Sequence, residues 1–463
     1  MILYYLKDLY RKYIMDTLSR IGYVVGVNTD VKKELTVRPE VNTEFGFPPP
    51  PFKVFKVTKD KKRMCVPRFY GEKKFGIIED DTRPAPVKMS IPFKGTLRDS
   101  THQNTALAKA IAAGSGVLSL PCGYGKTTVA LAIACKLGFR TMIIVHKEFL
   151  ANQWRERIQQ FCPGATIGIV QKDKVELEHD FVIVMLQSLS MKAYDVGQFD
   201  SVGTLIVDEA HHICARVFSQ ALFKLCPKHA FGLSATPDRK DGLTRVLHWF
   251  LGDTFFAVER KNQAQVEVFA IKYDCPQYRE PPPCNRVGKL SLVQMISDLV
   301  DNGHRNSVLL DTIRKITNGT DRQLLVLSDR RLHCQELHSH FPDNSGLYMG
   351  GMKEKDLETS SKKTIIFGTF SQAHEGLDIP TLDSIILATP KSDITQSIGR
   401  IMRETAGKKN NPRIYDMWDQ WSILNSMYMK RRKVYRQGGY KIDDRVEDEK
   451  PNPFKEKFMF KII

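Results

Sequence analysis

Leu118-Ser119-Leu120-Pro121-Cys122-Gly123-Tyr124-Gly125-Lys126-Thr127-Thr128 is the stretch on which the reading of this chain turns. The apolar run Val117 to Leu120 predicts a short buried strand, Gly123 and Gly125 permit a tight loop, and Thr127 through Leu137 has helical spacing. Strand, glycine loop and helix in that order aim successive backbone N–H groups and a helix N-terminus at one place, which suits a polyphosphate. In such a loop Lys126 reaches the β/γ-phosphates and the Thr127 hydroxyl sits on Mg²⁺. The strict pattern G-x-x-x-x-G-K-T asks for glycine where this chain has Leu120, so a bare glycine turn ahead of a lysine also fits the stretch.

Thr204-Leu205-Ile206-Val207-Asp208-Glu209-Ala210-His211-His212 supplies a second signal, an apolar strand that ends in two carboxylates. At a strand's C-terminal end beside phosphates, Asp208 suits Mg²⁺, and Glu209 suits a base that orients or deprotonates the attacking water. Alone, the same residues fit a capped turn. Together and in this order the two stretches predict an NTPase, because a phosphate loop needs a strand end that holds its metal.

Lysine and arginine number 69 against 52 aspartates and glutamates, a net charge of +17 over 463 residues that is spread along the chain. So basic a surface favours a polyanion, most often nucleic acid; the competing partner, an anionic membrane, lacks a basic amphipathic helix to receive it. Nine cysteines, an odd number without a C-x-x-C pair, point to reduced thiols and away from zinc. Charges at Lys7 and Asp8 interrupt the N-terminal apolar run, and no apolar run approaches the length needed to span a bilayer. The expected location is the cytoplasm or nucleus, of a host cell or in a virion if the source is viral.

The length predicts roughly three domains of about 150 residues each. Leu6, Leu9, Tyr10, Tyr13, Ile14 and Leu18 recur at helical spacing up to Gly22, which predicts an opening amphipathic helix. Phe52 to Val57 and Met64 to Tyr70 flank the charged turn Lys59-Asp60-Lys61-Lys62-Arg63 and read as a hairpin, whose turn suits either a nucleic-acid backbone or plain solvation. Residues 1–90 are therefore expected to form a small α+β accessory domain.

From Ile91 strands and helices alternate as they do in parallel sheets, with strands expected at Gly116–Leu120, Thr141–Val145, Phe181–Met185, Leu205–Val207 and Ala230–Leu233. The rhythm fails over Lys261 to Pro283 and returns at Gln323–Leu327, Ser345–Tyr348, Lys363–Phe367 and Ser384–Ala388. The expected fold class is α/β, with two parallel-sheet domains: 91–258, which binds the nucleotide, and 291–440, which has no phosphate loop of its own, joined by a linker at 259–290 and followed by a tail at 441–463. In the second domain Gln396-Ser397-Ile398-Gly399-Arg400-Ile401-Met402-Arg403 places Gln396, Arg400 and Arg403 at i, i+4 and i+7, one face of a helix. Taken alone this is a solvated arginine face; beside a lone phosphate-loop domain it supplies arginine fingers for the charge of phosphoryl transfer.

With both halves placed, the chain from about Pro92 to Ile442 resembles the superfamily 2 helicases. Within them it is similar to the DEAH-type group that contains the XPB repair/transcription helicase, the phage UvsW helicase and the poxvirus transcript-release helicase. Leu97-Arg98 with Gln103 resembles the adenine-sensing Q-motif region, and Leu120 to Thr127 resembles motif I, whose superfamily 2 form does not demand the first glycine. The resemblance puts Gln103, Pro121, Cys122, Gly123, Tyr124, Gly125, Lys126, Thr127, Thr128 and Asp378 on the nucleotide. Asp208-Glu209-Ala210-His211 looks like motif II and Ser234-Ala235-Thr236-Pro237 like motif III, so His211, Ser234, Ala235 and Thr236 are expected to couple hydrolysis to movement. Gln396 to Arg403 resembles motif VI. Nucleic-acid contacts are implied at His146 and Lys147, at Gln187 and Ser188, at Ser328 and Arg330, at Gly350 and Gly351, and at Thr369 in the motif-V-like Gly368 to Asp378. Arg239-Lys240-Asp241 stands where the XPB group has R-E-D, with lysine replacing glutamate.

The basic tail Tyr428 to Tyr440 resembles the closing helix of the phage and viral members and also fits a nuclear-import signal; Asp443 to Glu449 reads as an acidic disordered end. The resemblance implies two RecA-like domains that use ATP and Mg²⁺ to move along nucleic acid. The substrate expected first is DNA, with 3′→5′ polarity, in transcription, repair or recombination. An RNA helicase or transcript-release factor is the alternative within the class. From another class, the alternative is an ATP-driven clamp or assembly subunit that acts on transcription or repair proteins.

Overall fold

The computed structural model describes residues 16–40, 49–78, 81–121, 123–235, 241–258, 266–275, 278, 280–286, 288–375, 377, 379–392, 394–401 and 410–444, with the backbone alone at 354, 374–375, 395–396 and 400. The chain divides into two units, Met1–Glu259 and Arg260–Ile463.

The first unit opens with six short strands, β1 (Thr17–Ser19), β2 (Gly22–Gly26), β3 (Thr36–Val37), β4 (Phe52–Lys53), β5 (Lys56–Val57) and β6 (Arg63–Val66). β1-β2-β6-β5 form an antiparallel sheet and β3 pairs with β4. The helix expected from Leu6 to Gly22 lies mostly outside the described residues, and its described end is a strand instead. Gly22 explains this: at φ +138° it reverses the chain, and a Cβ there would stand 2.7 Å from the Val66 carbonyl oxygen. The expected hairpin is also shorter than 52–70. Lys56 and Val57 face Cys65 and Met64, but Phe52 and Lys53 turn to β3, and Pro67, which has no N–H for the ladder, gives way to a helix over Arg68–Phe75.

This N-terminal part has no separate core on the side that faces the larger sheet. Val37, Phe52, Val54 and Cys65 are buried in one cluster with Leu222, Phe223 and Phe250. Arg68 Nη1 donates to the carbonyls of Pro227 and Lys228 at 3.3 and 2.9 Å, and Gln220 Nε2 donates to that of Lys53 at 2.7 Å.

Eight strands follow: β7 (Gly116–Ser119), β8 (Thr141–Val145), β9 (Ile167–Gln171), β10 (Lys174–Val175), β11 (Phe181–Met185), β12 (Thr204–Val207), β13 (His229–Ser234) and β14 (Thr254–Ala257). Their order is β10-β9-β11-β8-β12-β13-β7-β14, parallel throughout except for β10. The central strands are apolar on both faces because both are covered. In β8, Met142 and Ile144 face one core with Val246 and Leu247, while Ile143 and Val145 face the other with Val129, Leu150 and Trp154.

The second unit holds seven parallel strands: β15 (Glu267–Tyr273), β16 (Leu324–Ser328), β17 (Ser345–Tyr348), β18 (Ile365–Thr369), β19 (Ser384–Leu387), β20 (Arg413–Asp419) and β21 (Lys441–Asp443), in the order β17-β18-β16-β19-β20-β15-β21. β15 lies inside the 259–290 stretch expected as a linker, and its seven residues pair in full with β20. Two ion pairs are sealed beside these strands. Arg305 grips Asp419 through two bonds of 2.7 and 2.9 Å with both side chains at 0% exposure, and Arg431 grips Asp416, which also accepts from the Tyr435 hydroxyl at 2.7 Å.

Arg431 belongs to the helix Ser422–Gln437, which buries Leu424, Met427, Tyr428 and Tyr435 as well. Of the two readings of the basic tail, the packed helix is what forms, and one of its arginines is a core residue. No helix among the described residues is long and apolar enough to cross a membrane.

Candidate functional site

In a parallel sheet the loops leaving the strands' C-terminal ends converge at one edge. In the first unit that edge collects the turn after β7, His146 and Lys147 after β8, Gln187 and Ser188 in the helix after β11, Asp208 and Glu209 after β12, and Ser234 and Ala235 at the end of β13. Sequence positions more than 100 apart are thereby brought to the same rim.

The turn after β7 is the glycine loop. Gly123 and Gly125 hold φ of +86° and +77°, which an L side chain rarely adopts, and helix Lys126–Leu137 starts directly from Gly125. Gln103, 2% exposed, lies against this loop: its Oε1 accepts the Arg98 N–H at 2.9 Å, and its Nε2 donates to the Tyr124 carbonyl at 2.9 Å. A Cβ at Gly125 would stand 2.4 Å from that Nε2, so the glycine is required by the neighbour as well as by the backbone. Both ends of the Gln103 amide therefore brace the loop. Lys126 folds back, its Nζ donating to the Leu120 carbonyl at 3.1 Å. Pro121, Thr127 and Thr128 sit in the same turn and first helical turn, whereas Cys122 lies outside the described residues.

Across β13 from the loop strand, β12 ends at the acidic pair. Glu209 adopts φ +45°, a strained conformation for a residue with a side chain, and its backbone N–H donates to Asp208 Oδ1 at 3.0 Å. Trp154 Nε1 donates to Asp208 Oδ2 at 2.8 Å. Burial first, and the Glu209 charge second, push the Asp208 carboxyl above its usual range; the Trp154 N–H and Lys126 pull the other way. Glu209 Oε2 is buried and has no hydrogen-bond partner among the described residues. Two adjacent carboxylates with an oxygen left without a hydrogen bond are a hard-oxygen donor set that fits a divalent cation.

Behind the pair, His211 Nδ1 lies 3.5 Å from both Glu209 Oε2 and Ser234 Oγ, so the candidate base and the motif-III serine share one imidazole. His146 stacks on His212 with ring centroids 3.9 Å apart, and His212 lies 4.3 Å from His211. Burial holds the His146 imidazole below its ordinary value despite the pull of Asp208 and Glu209. Thr236 lies outside the described residues, as do Arg239 and Lys240.

The second unit gathers Ser328, the Gly350-Gly351 turn and Thr369 at the C-terminal edge of its own sheet. Ser328 differs from a solvent-facing contact: it is 1% exposed, its hydroxyl accepts the Arg330 N–H at 3.1 Å and lies 3.0 Å from His333 Nδ1. It shapes the turn that presents Arg330. Arg330 Nη2 in turn donates to the Val293 carbonyl, and Arg331 Nη1 to that of Gly350 at 2.6 Å. Thr389 and Lys391 join this edge through Asp329, at 2.9 and 3.1 Å, and no sequence signal marked them. Gln396 and Arg400 fall in the helix Thr395–Ile401, where the backbone alone is described; Asp378 and Arg403 lie outside the described residues.

A family model described as "Type III restriction enzyme, res subunit" matches residues 96–239, the span from the Gln103 region through the motif-III-like stretch. The Acanthamoeba polyphaga mimivirus protein named "Putative ATP-dependent RNA helicase L396" is 32% identical over 452 residues, covering 91% of this chain and 84% of its own length. "Putative helicase 161L" of Invertebrate iridescent virus 6 is 29% identical over 76% of this chain and 83% of its own. The crystal structure of T4 UvsW aligns with 93% of this chain and 98% of its own at 15% identity and a TM-score of 0.36. With the phosphate loop and the acidic strand end on one sheet edge and relatives of this identity and coverage, the chain belongs to the ATP-hydrolysing helicases, in the family that includes these proteins of large DNA viruses.

Proposed function

We propose that the chain uses ATP hydrolysis to move along a single nucleic-acid strand, with DNA as the track and 3′→5′ as the direction, in transcription, repair or recombination. The observation that carries this reading is the shared rim of the first unit. The phosphate loop and acidic pair stand on the same edge as His146, Lys147, Gln187 and Ser188, so nucleotide chemistry and strand contact use adjoining turns. Backbone N–H groups of residues 123–128 cradle the polyphosphate, and Lys126 exchanges the Leu120 carbonyl for the β/γ-phosphates. Thr127 and Asp208 would hold Mg²⁺, which would supply positive charge against the phosphates, and Glu209 takes the proton of the attacking water. His211 and Ser234 carry the state of that site toward β13. Gln396, Arg400 and Arg403 of the 291–440 domain serve the γ-phosphate, and Ser328, Arg330, Gly350, Gly351 and Thr369 hold phosphates of the strand.

RNA as the track is the second reading, and the printed name of the mimivirus relative favours it. ATPase rates with and without single-stranded DNA or RNA, and displacement of matched duplexes with either overhang, decide between them. DNA stimulation with unwinding from a 3′ overhang is the expected result. Hydrolysis indifferent to either nucleic acid but raised by a transcription or repair protein would replace translocation with the clamp reading.

A further inference from the structure

Trp154 lies in the helix Glu148–Phe161, which begins directly after His146 and Lys147. It is 1% exposed and packs in the core with Leu150 and Ile158, which accounts for an apolar ring at this position. It does not account for the N–H. An indole is a hydrogen-bond donor only, and a buried one needs an acceptor; this one donates to Asp208 Oδ2 at 2.8 Å, across 54 positions of sequence. The Glu209 backbone N–H holds the other oxygen, Oδ1, at 3.0 Å. One donor on each oxygen fixes the carboxylate's torsion and leaves each oxygen a further lone pair for a ligand.

We propose that Trp154 is a positioning residue. Its indole N–H holds the Asp208 carboxylate in the orientation that receives the nucleotide's divalent cation, and it ties that orientation to the helix that starts at the His146-Lys147 turn. The inference rests on reading Asp208 as the cation's carboxylate. Carboxylates that bind metals are themselves oriented by hydrogen bonds from outer groups, and losing such a partner weakens the metal by about 10–100-fold. The second half follows from the helix as a continuous hydrogen-bonded rod. A strand that presses on His146 and Lys147 displaces the indole, and the carboxylate follows. Nucleic acid thereby adjusts the cation site through one bond, with no change in the glycine loop.

Trp154→Phe keeps an aromatic ring and removes the N–H together with the five-membered ring. In the full chain with ADP present, Mn²⁺ binding followed by electron paramagnetic resonance should weaken by about 10–100-fold relative to the wild type. ADP binding without metal should stay unchanged, and added Mn²⁺ should restore saturation. Asp208→Asn, measured alongside, separates the two layers. Wild-type Mn²⁺ affinity in Trp154→Phe beside a loss in Asp208→Asn overturns the role of Trp154 and leaves the metal reading standing. Wild-type affinity in Asp208→Asn overturns the metal reading and the inference with it. A measurement on the unmutated chain covers the case in which Trp154→Phe does not fold. Of the four tryptophan indole N–H resonances in the ¹⁵N-labelled protein, Mn²⁺·ADP should broaden one beyond detection. Survival of all four at saturation would also overturn the proposal.

Discussion

Arg305→Met should lower the melting temperature of the second unit steeply. In the wild type the guanidinium and the Asp419 carboxylate are both at 0% exposure, joined by bonds of 2.7 and 2.9 Å, and the Tyr278 hydroxyl donates to the same carboxylate at 2.9 Å. Methionine fills much of the volume but leaves the carboxylate buried with one neutral donor. Breaking a buried pair in this way costs about 3–5 kcal/mol. For a unit of 150–250 residues each kcal/mol moves the midpoint by about 2–4 °C, so the shift should be about 6–20 °C. Scanning calorimetry of the full chain is the assay, with the transition of the first unit as internal reference. Arg305→Met combined with Asp419→Leu should recover most of the loss, because an apolar pair no longer pays desolvation; Arg305 Nη1 already lacks a hydrogen-bond partner among the described residues. A single variant that melts within about 2 °C of the wild type would refute the reasoning, since the carboxylate would then have found solvent or another donor.

Glu209→Gln should bind ATP and hydrolyse it poorly, because an amide cannot take the water's proton; near-wild-type turnover would remove Glu209 as the base. Arg403→Ala should lower turnover by a factor on the order of 10³ with much less change in ATP affinity, and steady-state kinetics that show a fully active variant would exclude it as an arginine finger. Gln103→Glu keeps the acceptor for Arg98 but sets an oxygen against the Tyr124 carbonyl, at a cost of about 1–3 kcal/mol. At 1.4 kcal/mol per tenfold that weakens ATP binding by roughly 5–150-fold. Protonating the new carboxyl returns a donor, so the defect should shrink as pH falls; an affinity equal to wild type at pH 8 would show that Gln103 does not brace the loop.

The fold was most legible where a strand is covered on both faces. Thr141–Val145, Phe181–Met185 and Ser345–Tyr348 form as read, because every position in the first two and half of those in the third are buried. Among the strands that escaped, β15 and β20 carry charges. Asp416 and Asp419 look like surface residues in a linear pattern, yet they are buried against Arg431 and Arg305, partners supplied by distant helices. Sequence could mark the glycine loop and the acidic pair because their chemistry is written in local spacing, whereas Gln103 came from the family resemblance alone. Neither could place Trp154 on Asp208, or turn Ser328 inward onto His333, since both depend on which side chains the folded sheets bring together.

The strands that flank the connection between the units also give it a mechanical character. The chain leaves the first unit from β14, which is zipped to β7; Val258 N–H donates to the Ser119 carbonyl at 3.0 Å, and the next residue, Leu120, holds the Lys126 ammonium. It enters the second unit through β15, gripped by β20 on one side and β21 on the other. A pull directed along these strands loads their ladders in shear, so the bonds bear it together instead of peeling one at a time. A pull on β14 therefore falls first on β7, the strand that carries the phosphate loop.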